Sequence, residues 1–394
     1  MFIGLVGKPS SGKSTFFKAA TLAEVDIANY PFVTIKPNSG IGYVKIDCID
    51  KEFNTQCNPR EGFCLDHKRF VPVKLLDVAG LVPEAHKGKG KGNQFLSDLN
   101  QADALIHIVD ISGSVNEKGE PVEELSYDPL NDIDFLETEL DMWYFQIIKK
   151  HWETSAKKIQ QSGMDLVKTL IGQLSGLRIT EEMLEEVLKE LNLPPIMEWT
   201  DEDLKKLSSK LRKRSKPMII ACNKIDVQGA EENYKKLLEK YPHLIAVKCS
   251  SEVELALREA AKKQIIKYIP GESIFEVLKE VDEKQKKGLA FMKRFLEQYK
   301  STGVQEILNK AVFDILEYIA VFPGGVNNLE DKDGNVMPDC FLLPKDSTAL
   351  QFAETIHTDL AKKFIRAIDV KTKKTIGKEH KLKHRDIIEI ITGK

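Results

Sequence analysis

Short apolar runs of strand length punctuate the chain at Phe2 to Val6, Val71 to Leu76, Ala104 to Val109, Pro217 to Cys222 and Leu244 to Val247, with helical stretches between them. Such alternation predicts a doubly wound, mostly parallel α/β sheet covered on both faces by helices. From about Asp134 to Arg214 the period turns helical. There Thr180 is placed to cap a helix in which Leu184, Val187, Leu188 and Leu191 follow at i, i+3, i+4 and i+7, before Pro194-Pro195 ends it. Thr200-x-x-Asp203 opens another helix. This stretch separates strands that belong in one sheet, so it reads as an insertion. After about Phe313, Ile319 to Phe322, Cys340 to Leu343 and Ile387 to Ile391 look like strands and Leu350 to Arg366 like one amphipathic helix, predicting a small α+β domain. The expected division is therefore 1–133 with 215–312, an inserted helical domain at 134–214, and a C-terminal domain at 313–394.

A length of 394 residues fits two or three such units. Hydrophobic residues at 42% and charged residues at 30% exclude wholesale disorder, collagen and a disulfide scaffold. With Lys+Arg 58 against Asp+Glu 60, contact with nucleic acid requires a local basic patch. No apolar run approaches the roughly 18 to 20 residues that cross a bilayer, Met1 to Val6 runs directly into a polar loop without a basic leader, and six cysteines are too few for a stapled secreted fold. A cytoplasmic protein with no membrane partner is expected.

Gly7-Lys8-Pro9-Ser10-Ser11-Gly12-Lys13-Ser14 matches G-x-x-x-x-G-K-[ST] between a predicted strand and a predicted helix. In such a loop backbone N–H groups turn inward around phosphate oxygens, and the helix adds the positive end of its dipole. Gly7 to Thr15 are thus candidate nucleotide-binding residues. Lys13 is expected to neutralise the β- and γ-phosphates and Ser14 to bind Mg²⁺. Asp77 and Gly80, in Asp77-Val-Ala-Gly80 at the end of a second strand, are placed to hold Mg²⁺ and to meet a γ-phosphate. Asn223-Lys224-Ile225-Asp226 ends a third strand. The Asp226 carboxylate offers two acceptors for guanine N1–H and its exocyclic amine, Asn223 would brace the loop and approach the base edge, and the Lys224 stem would cover a base face. Ser250-Ser251 are candidates for a last base contact through backbone N–H. Within Asn29 to Asn38, Thr34 is the candidate to complete the Mg²⁺ shell and to release it when the γ-phosphate leaves.

Together these residues resemble the translation-factor-related P-loop GTPases, within them the Obg-like superfamily and its YchF subfamily in an archaeal-looking form. The specific matches are Asn29-Tyr-Pro-Phe32 with Pro37-Asn38, Asp77-Val-Ala-Gly-Leu81-Val82, and Gly88-Lys-Gly-Lys-Gly-Asn93-Gln94-Phe95-Leu96. Gly377-Lys-Glu-His-Lys-Leu382 followed by Asp386-Ile-Ile is similar to a TGS domain, a β-grasp-like module. The resemblance implies nucleoside-triphosphate hydrolysis with association to ribosomes or their factors; with the motifs, the leading expectation is a Mg²⁺-dependent switch between GTP and GDP that meets a ribosome or rRNA or tRNA through the helical insertion and the TGS domain. It also implies a hydrophobic residue where Ras-like enzymes orient water with glutamine. Leu81 occupies that position, so slow intrinsic turnover is expected, with His86 a candidate to place the water. Many members carry Asn where this chain has Ser10, and in related GTPases that asparagine helps hold potassium, so potassium dependence does not carry over on this residue. Many bacterial and eukaryotic members have a degraded base motif and prefer ATP, whereas this chain keeps Asn223, Lys224 and Asp226. GTP is expected. The alternatives are an ATPase of the same fold, and a ribosome- or RNA-binding adaptor in which nucleotide is mainly structural.

Two weaker signals remain. Cys57 and Cys64 with His67, and Cys48 as a fourth donor, offer ligands to zinc, but their spacing is wider than the usual C-x₂₋₄-C. A turn or hairpin holding ordinary buried thiols is the default, and zinc is not expected. Lys371 to Arg385 contains seven Lys/Arg and one Glu, and Lys210, Arg212, Lys213, Arg214 and Lys216 form a second basic stretch. Either suits RNA phosphates.

Overall fold

A computed structural model of the chain describes residues 1–22, 39–78, 98–162 and 165–393. Strands β1 (Phe2–Val6), β4 (Lys68–Asp77), β5 (Ala104–Asp110), β6 (Met218–Asn223) and β7 (Ile245–Lys248) run parallel. With β2 (Ser39–Asp47) and β3 (Phe63–Leu65), both antiparallel to β4, they make a seven-stranded sheet in the order β2-β4-β1-β5-β6-β7, with β3 on β4. β5, apolar apart from His107 and the terminal Asp110, is buried along its whole length, as a central parallel strand requires. β2 was not among the expected strands. Its Gly40 and Gly42 dilute the apolar pattern, yet they are what lets β2 lie close. A Cβ on Gly42 would sit 2.7 Å from a Leu75 methyl, and one on Gly40 would sit 2.8 Å from the Phe17 ring.

Side-chain alternation divides the core. Ile3, Leu5, Ile106 and Ile108 face a cluster with Phe16 and Ala20 of the helix Lys13–Thr21. Val6 and Leu105 face the other way, against the helix Leu130–Ser162 and the helices Leu166–Leu174, Glu181–Leu191 and Asp201–Ser215 that follow it. The local start signals act as expected, whereas the helix Glu181–Leu191 stops with Asn192 in the left-handed region (φ +44°), before Pro194-Pro195. Thr180 accepts from the Met183 N–H, and Thr200 and Asp203 form a reciprocal capping box.

After a two-stranded ribbon of β8 (Ile266–Tyr268) and β9 (Phe275–Val277), a further sheet follows, β11-β10-β14-β12-β13, from β10 (Tyr318–Pro323), β11 (Phe341–Pro344), β12 (Phe364–Asp369), β13 (Lys374–Ile376) and β14 (Asp386–Thr392). One face covers the helix Ala349–Ile356. From the other, Ala320, Phe322 and Ile387 join the cluster around Ile3 and Leu5. The single helix expected over Leu350 to Arg366 is corrected. It breaks at His357, which is extended (φ −165°, ψ 136°), resumes for Thr358–Lys362, and gives way to β12, whose residues pair with β14. Ladder pairing with a distant strand outweighs the helical period there.

Candidate nucleotide-binding site

β1 lies between β4 and β5, so the connections leaving it and its neighbours diverge on either side, and the carboxyl edge of the sheet opens a crevice at that point. Parallel register brings Leu5 beside Asp77, Val6 beside His107, and Asp110 beside Asn223. Four polar segments far apart in sequence thus share one edge.

The Gly7 to Ser14 loop needs both of its glycines. A Cβ on Gly7 would meet the Ile108 carbonyl oxygen at 2.6 Å, and Gly12, at φ +93°, would meet the Asn223 side-chain nitrogen at 2.1 Å. Lys13, in the first turn of its helix, pairs with Asp77. The neighbouring Ser14 is exposed and Thr15 half-buried. The Ser10 hydroxyl donates to the Gly119 carbonyl at 2.9 Å, and Pro9 packs so closely that a Cβ on Gly119 would lie 2.6 Å from its own Cβ. Ser11 is buried, and its hydroxyl has no hydrogen-bond partner among the described residues. Lys8 turns away from the loop interior. Its ammonium donates to the Val115 carbonyl at 2.7 Å, pairs with Asp132 at 2.8 Å and lies 3.9 Å from the Tyr127 ring centroid, so only its backbone remains for phosphate.

Asn223 is buried and joins three loops. Its amide nitrogen donates to the Ser11 carbonyl at 2.9 Å, while its oxygen accepts from the Ser251 N–H at 3.0 Å and hydroxyl at 2.9 Å. The expected brace is there, but both ends of the amide are engaged within the protein rather than at a base edge. Ser250 and Ser251 are engaged within the protein in the same way. The Ser250 N–H donates to the Thr302 carbonyl, its hydroxyl caps the helix Ser251–Lys262, and the Ser251 N–H is taken by Asn223. Lys224 sits at φ +62°, and its ammonium bonds Asp110 at 2.9 Å and the Ser114 hydroxyl at 3.1 Å. Asp226 is half-buried, with no hydrogen-bond partner among the described residues.

Asp110 was missed. It is fully buried and accepts from Ser112, Ser114 and Lys224, so it shapes the loop after β5 and anchors the lysine of the base motif. The available signal was an acidic residue ending a largely apolar strand, two residues before Ser112-Gly-Ser114. Thr34, Gly80, Leu81 and His86, with the runs Asn29 to Asn38 and Gly88 to Leu96, lie outside the described residues.

The two basic stretches differ. Arg212 is buried against Asp141 and Glu137, Arg214 pairs with Glu186, Lys210 with Glu190, and Lys216 donates to the Ala102 carbonyl, so the stretch in the helical insertion is largely consumed internally. Burial lowers the Lys216 pKa to about 8. In the C-terminal module, Lys373, Lys374, Lys378 and Lys383 are exposed with no ion-pair partner among the described residues.

Models of three protein families match the chain: a 50S ribosome-binding GTPase over residues 2–138, the G4 motif-containing domain of YGR210-like Obg-like GTPases over 221–326, and the TGS domain over 329–392. A GTP-binding protein of Methanocaldococcus jannaschii is 48% identical over 394 residues, 99% of each chain. The chain belongs to the Obg-like, YchF-type GTPase family. A GTP-binding protein of Schizosaccharomyces pombe is 37% identical, covering 90% of each chain, and the ribosome-binding ATPase YchF of Bacillus subtilis is 28% identical, over 92% of this chain and 87% of that one. The crystal structure of a GTP-binding protein from Pyrococcus horikoshii superposes with a TM-score of 0.78 at 36% identity, over 100% of both chains. The YchF GTPase of S. pombe shares the fold, with a TM-score of 0.62 at 21% identity over 99% and 97% of the two chains. No helix among the described residues is long and apolar enough to cross a membrane.

Proposed function

We propose that this protein binds guanine nucleotide with Mg²⁺ and hydrolyses GTP to GDP and phosphate as a slow conformational switch. Residues 1–133 and 215–312 would form the nucleotide domain, and 134–214 and 313–394 would relay its state to a ribosome or another RNA-protein partner. The observation that carries this reading is Asn223, which ties the phosphate loop to the base motif and to Ser251. Two distant segments are thereby held together at one edge of the sheet, and the nearby Asp226 has its carboxylate uncommitted among the described residues.

Lys13 pairs with Asp77, so an arriving phosphate competes for the ammonium while a divalent cation competes for the carboxylate. Ser14 and Asp77 offer the hard oxygen donors that suit Mg²⁺, with Thr34 as a further candidate. Held by Ser14 and Asp77, a divalent cation would supply positive charge against the phosphates. Lys13 and the Gly80 N–H would meet the γ-phosphate. Because Leu81 cannot hydrogen-bond water, His86 is assigned the task of orienting it.

Equilibrium titration tests base choice. GTP and GDP should bind more tightly than ATP, and Asp226→Asn should transfer the preference to xanthosine nucleotides by about 100-fold or more, since the site's buried polar groups then fail to match guanine. ATP binding as tightly as GTP would overturn this base choice. Single-turnover hydrolysis with and without ribosomes separates a switch from an adaptor.

A further inference from the structure

Beyond the nucleotide site, Cys48 follows β2, Asp50 lies in the short 3₁₀ turn Ile49–Phe53, Cys57 sits in the loop after it, and Cys64 lies on β3. The chain doubles back, and the four ligand atoms all lie within 4.8 Å of one another. The sulfurs of Cys48 and Cys57 are 3.4 Å apart, and the Cys64 sulfur is 3.8 Å from Asp50 Oδ2. A tetrahedral ion with metal–sulfur bonds of about 2.3 Å has sulfur–sulfur edges near ~3.8 Å, so the cluster already has the size of a coordination shell. Cys48, Asp50 and Cys57 are buried.

The surroundings suit an anionic, metal-bound cluster. His67 Nδ1 lies 2.9 Å from Asp50 Oδ1, the imidazole–carboxylate pairing that orients ligands from outside a metal shell, while Asp50 Oδ2 accepts from the Cys57 N–H at 2.9 Å. Arg69 is buried with no carboxylate partner among the described residues, and one guanidinium nitrogen points at the Cys57 sulfur at 3.6 Å. A buried cation against sulfur favours thiolate over thiol.

We propose that Cys48, Cys57, Cys64 and Asp50 bind one Zn²⁺ in a closed structural site, with His67 behind Asp50. Three soft sulfur donors and a complete set of four protein ligands select zinc in a structural rather than a catalytic role. The site would stiffen the loop that clasps the C-terminal module. The Asn58 N–H donates to the Val336 carbonyl at 3.1 Å, Arg60 pairs with Asp331 at 2.9 Å, and Arg69 donates to the carbonyls of Met337 and Pro338 at 3.0 and 2.9 Å.

Elemental analysis of the full chain, produced with added zinc and dialysed against a weak chelator, should find about one zinc per chain. The Co²⁺-exchanged protein should show thiolate-to-cobalt charge transfer and tetrahedral d–d bands. Cys57→Ser and Cys64→Ser should lose the metal, whereas Cys340→Ser, a thiol packed on the same core outside the cluster, should keep it. The wild-type measurements need no variant to fold. Wild-type protein without zinc, a cobalt adduct lacking the thiolate band, zinc retained by both cysteine variants, or a Cys48–Cys57 disulfide in the zinc-supplied protein would each overturn the proposal.

Discussion

Replacing Asn223 by alanine removes three hydrogen bonds and leaves the Ser11 carbonyl and the Ser251 N–H without their partner in a buried place. At about 1 kcal/mol per bond, with part of the loss borne by loop order, nucleotide affinity should fall by about 30-fold or more. Titration with a fluorescent guanine nucleotide checks this, and an unchanged Kd would mean the loops hold together without the brace. His107 gives a second prediction at this scale. Burial, and secondarily the Lys8 ammonium, pushes its pKa from 6.5 down to about 3, so the native state keeps it neutral while the unfolded chain takes up a proton as pH falls. Its share of stability is complete above pH 6.5 and is lost progressively toward about 3. His107→Leu should therefore flatten the acid limb. At pH about 4.5 the wild type should have lost about 2–3 kcal/mol more than the variant relative to neutral pH, read by denaturant unfolding at both values. Parallel pH curves would contradict the assignment.

Among the elements, the contact between the phosphate loop and the helix Leu130–Ser162 has the most consequence. Lys8 reaches Asp132 in that helix's first turn, and Asp132 also accepts from the Tyr127 hydroxyl at 2.9 Å. Both charges are nearly buried, so removing one strands the other. Lys8→Met or Asp132→Leu alone should cost about 3–5 kcal/mol, and the double variant less than the worse single one, because a buried pair is harder to halve than to delete. A double-mutant cycle in urea checks this. Additive losses would show that the two side chains act independently. The pairing also gives the helical insertion a rigid attachment to the loop that would hold phosphate, the kind of two-ended element through which a nucleotide state can be relayed.

For the whole molecule, the C-terminal sheet shares the core around Ile3 and Leu5, which makes it part of the main body rather than a tethered appendage. Under the proposed ribosome contact, its exposed lysines are the candidate groups for RNA phosphates. Lys373→Glu, Lys374→Glu and Lys378→Glu together should weaken ribosome co-sedimentation and reduce the log–log salt slope by roughly 2–3, at about 0.7–0.9 per lost phosphate contact. Lys210→Glu, whose ammonium is already paired with Glu190 in the helical insertion, should change it little. Equal losses from both variants would place the contact on the helical insertion as well.

What the sequence settled by itself was local. The phosphate loop, the base motif, the caps at Thr180 and Thr200 and the central strands are fixed by backbone geometry and apolar period within a few residues, so they are legible without a fold. The tertiary structure decided which polar groups meet across the chain. It turned Lys8 toward Asp132 and Asn223 toward Ser11, gave Asp110 its role, ended the helix at His357 in favour of β12, and gathered Cys48, Asp50, Cys57 and Cys64. Those choices depend on strand order and register, which bring residues together at separations that no local spacing records.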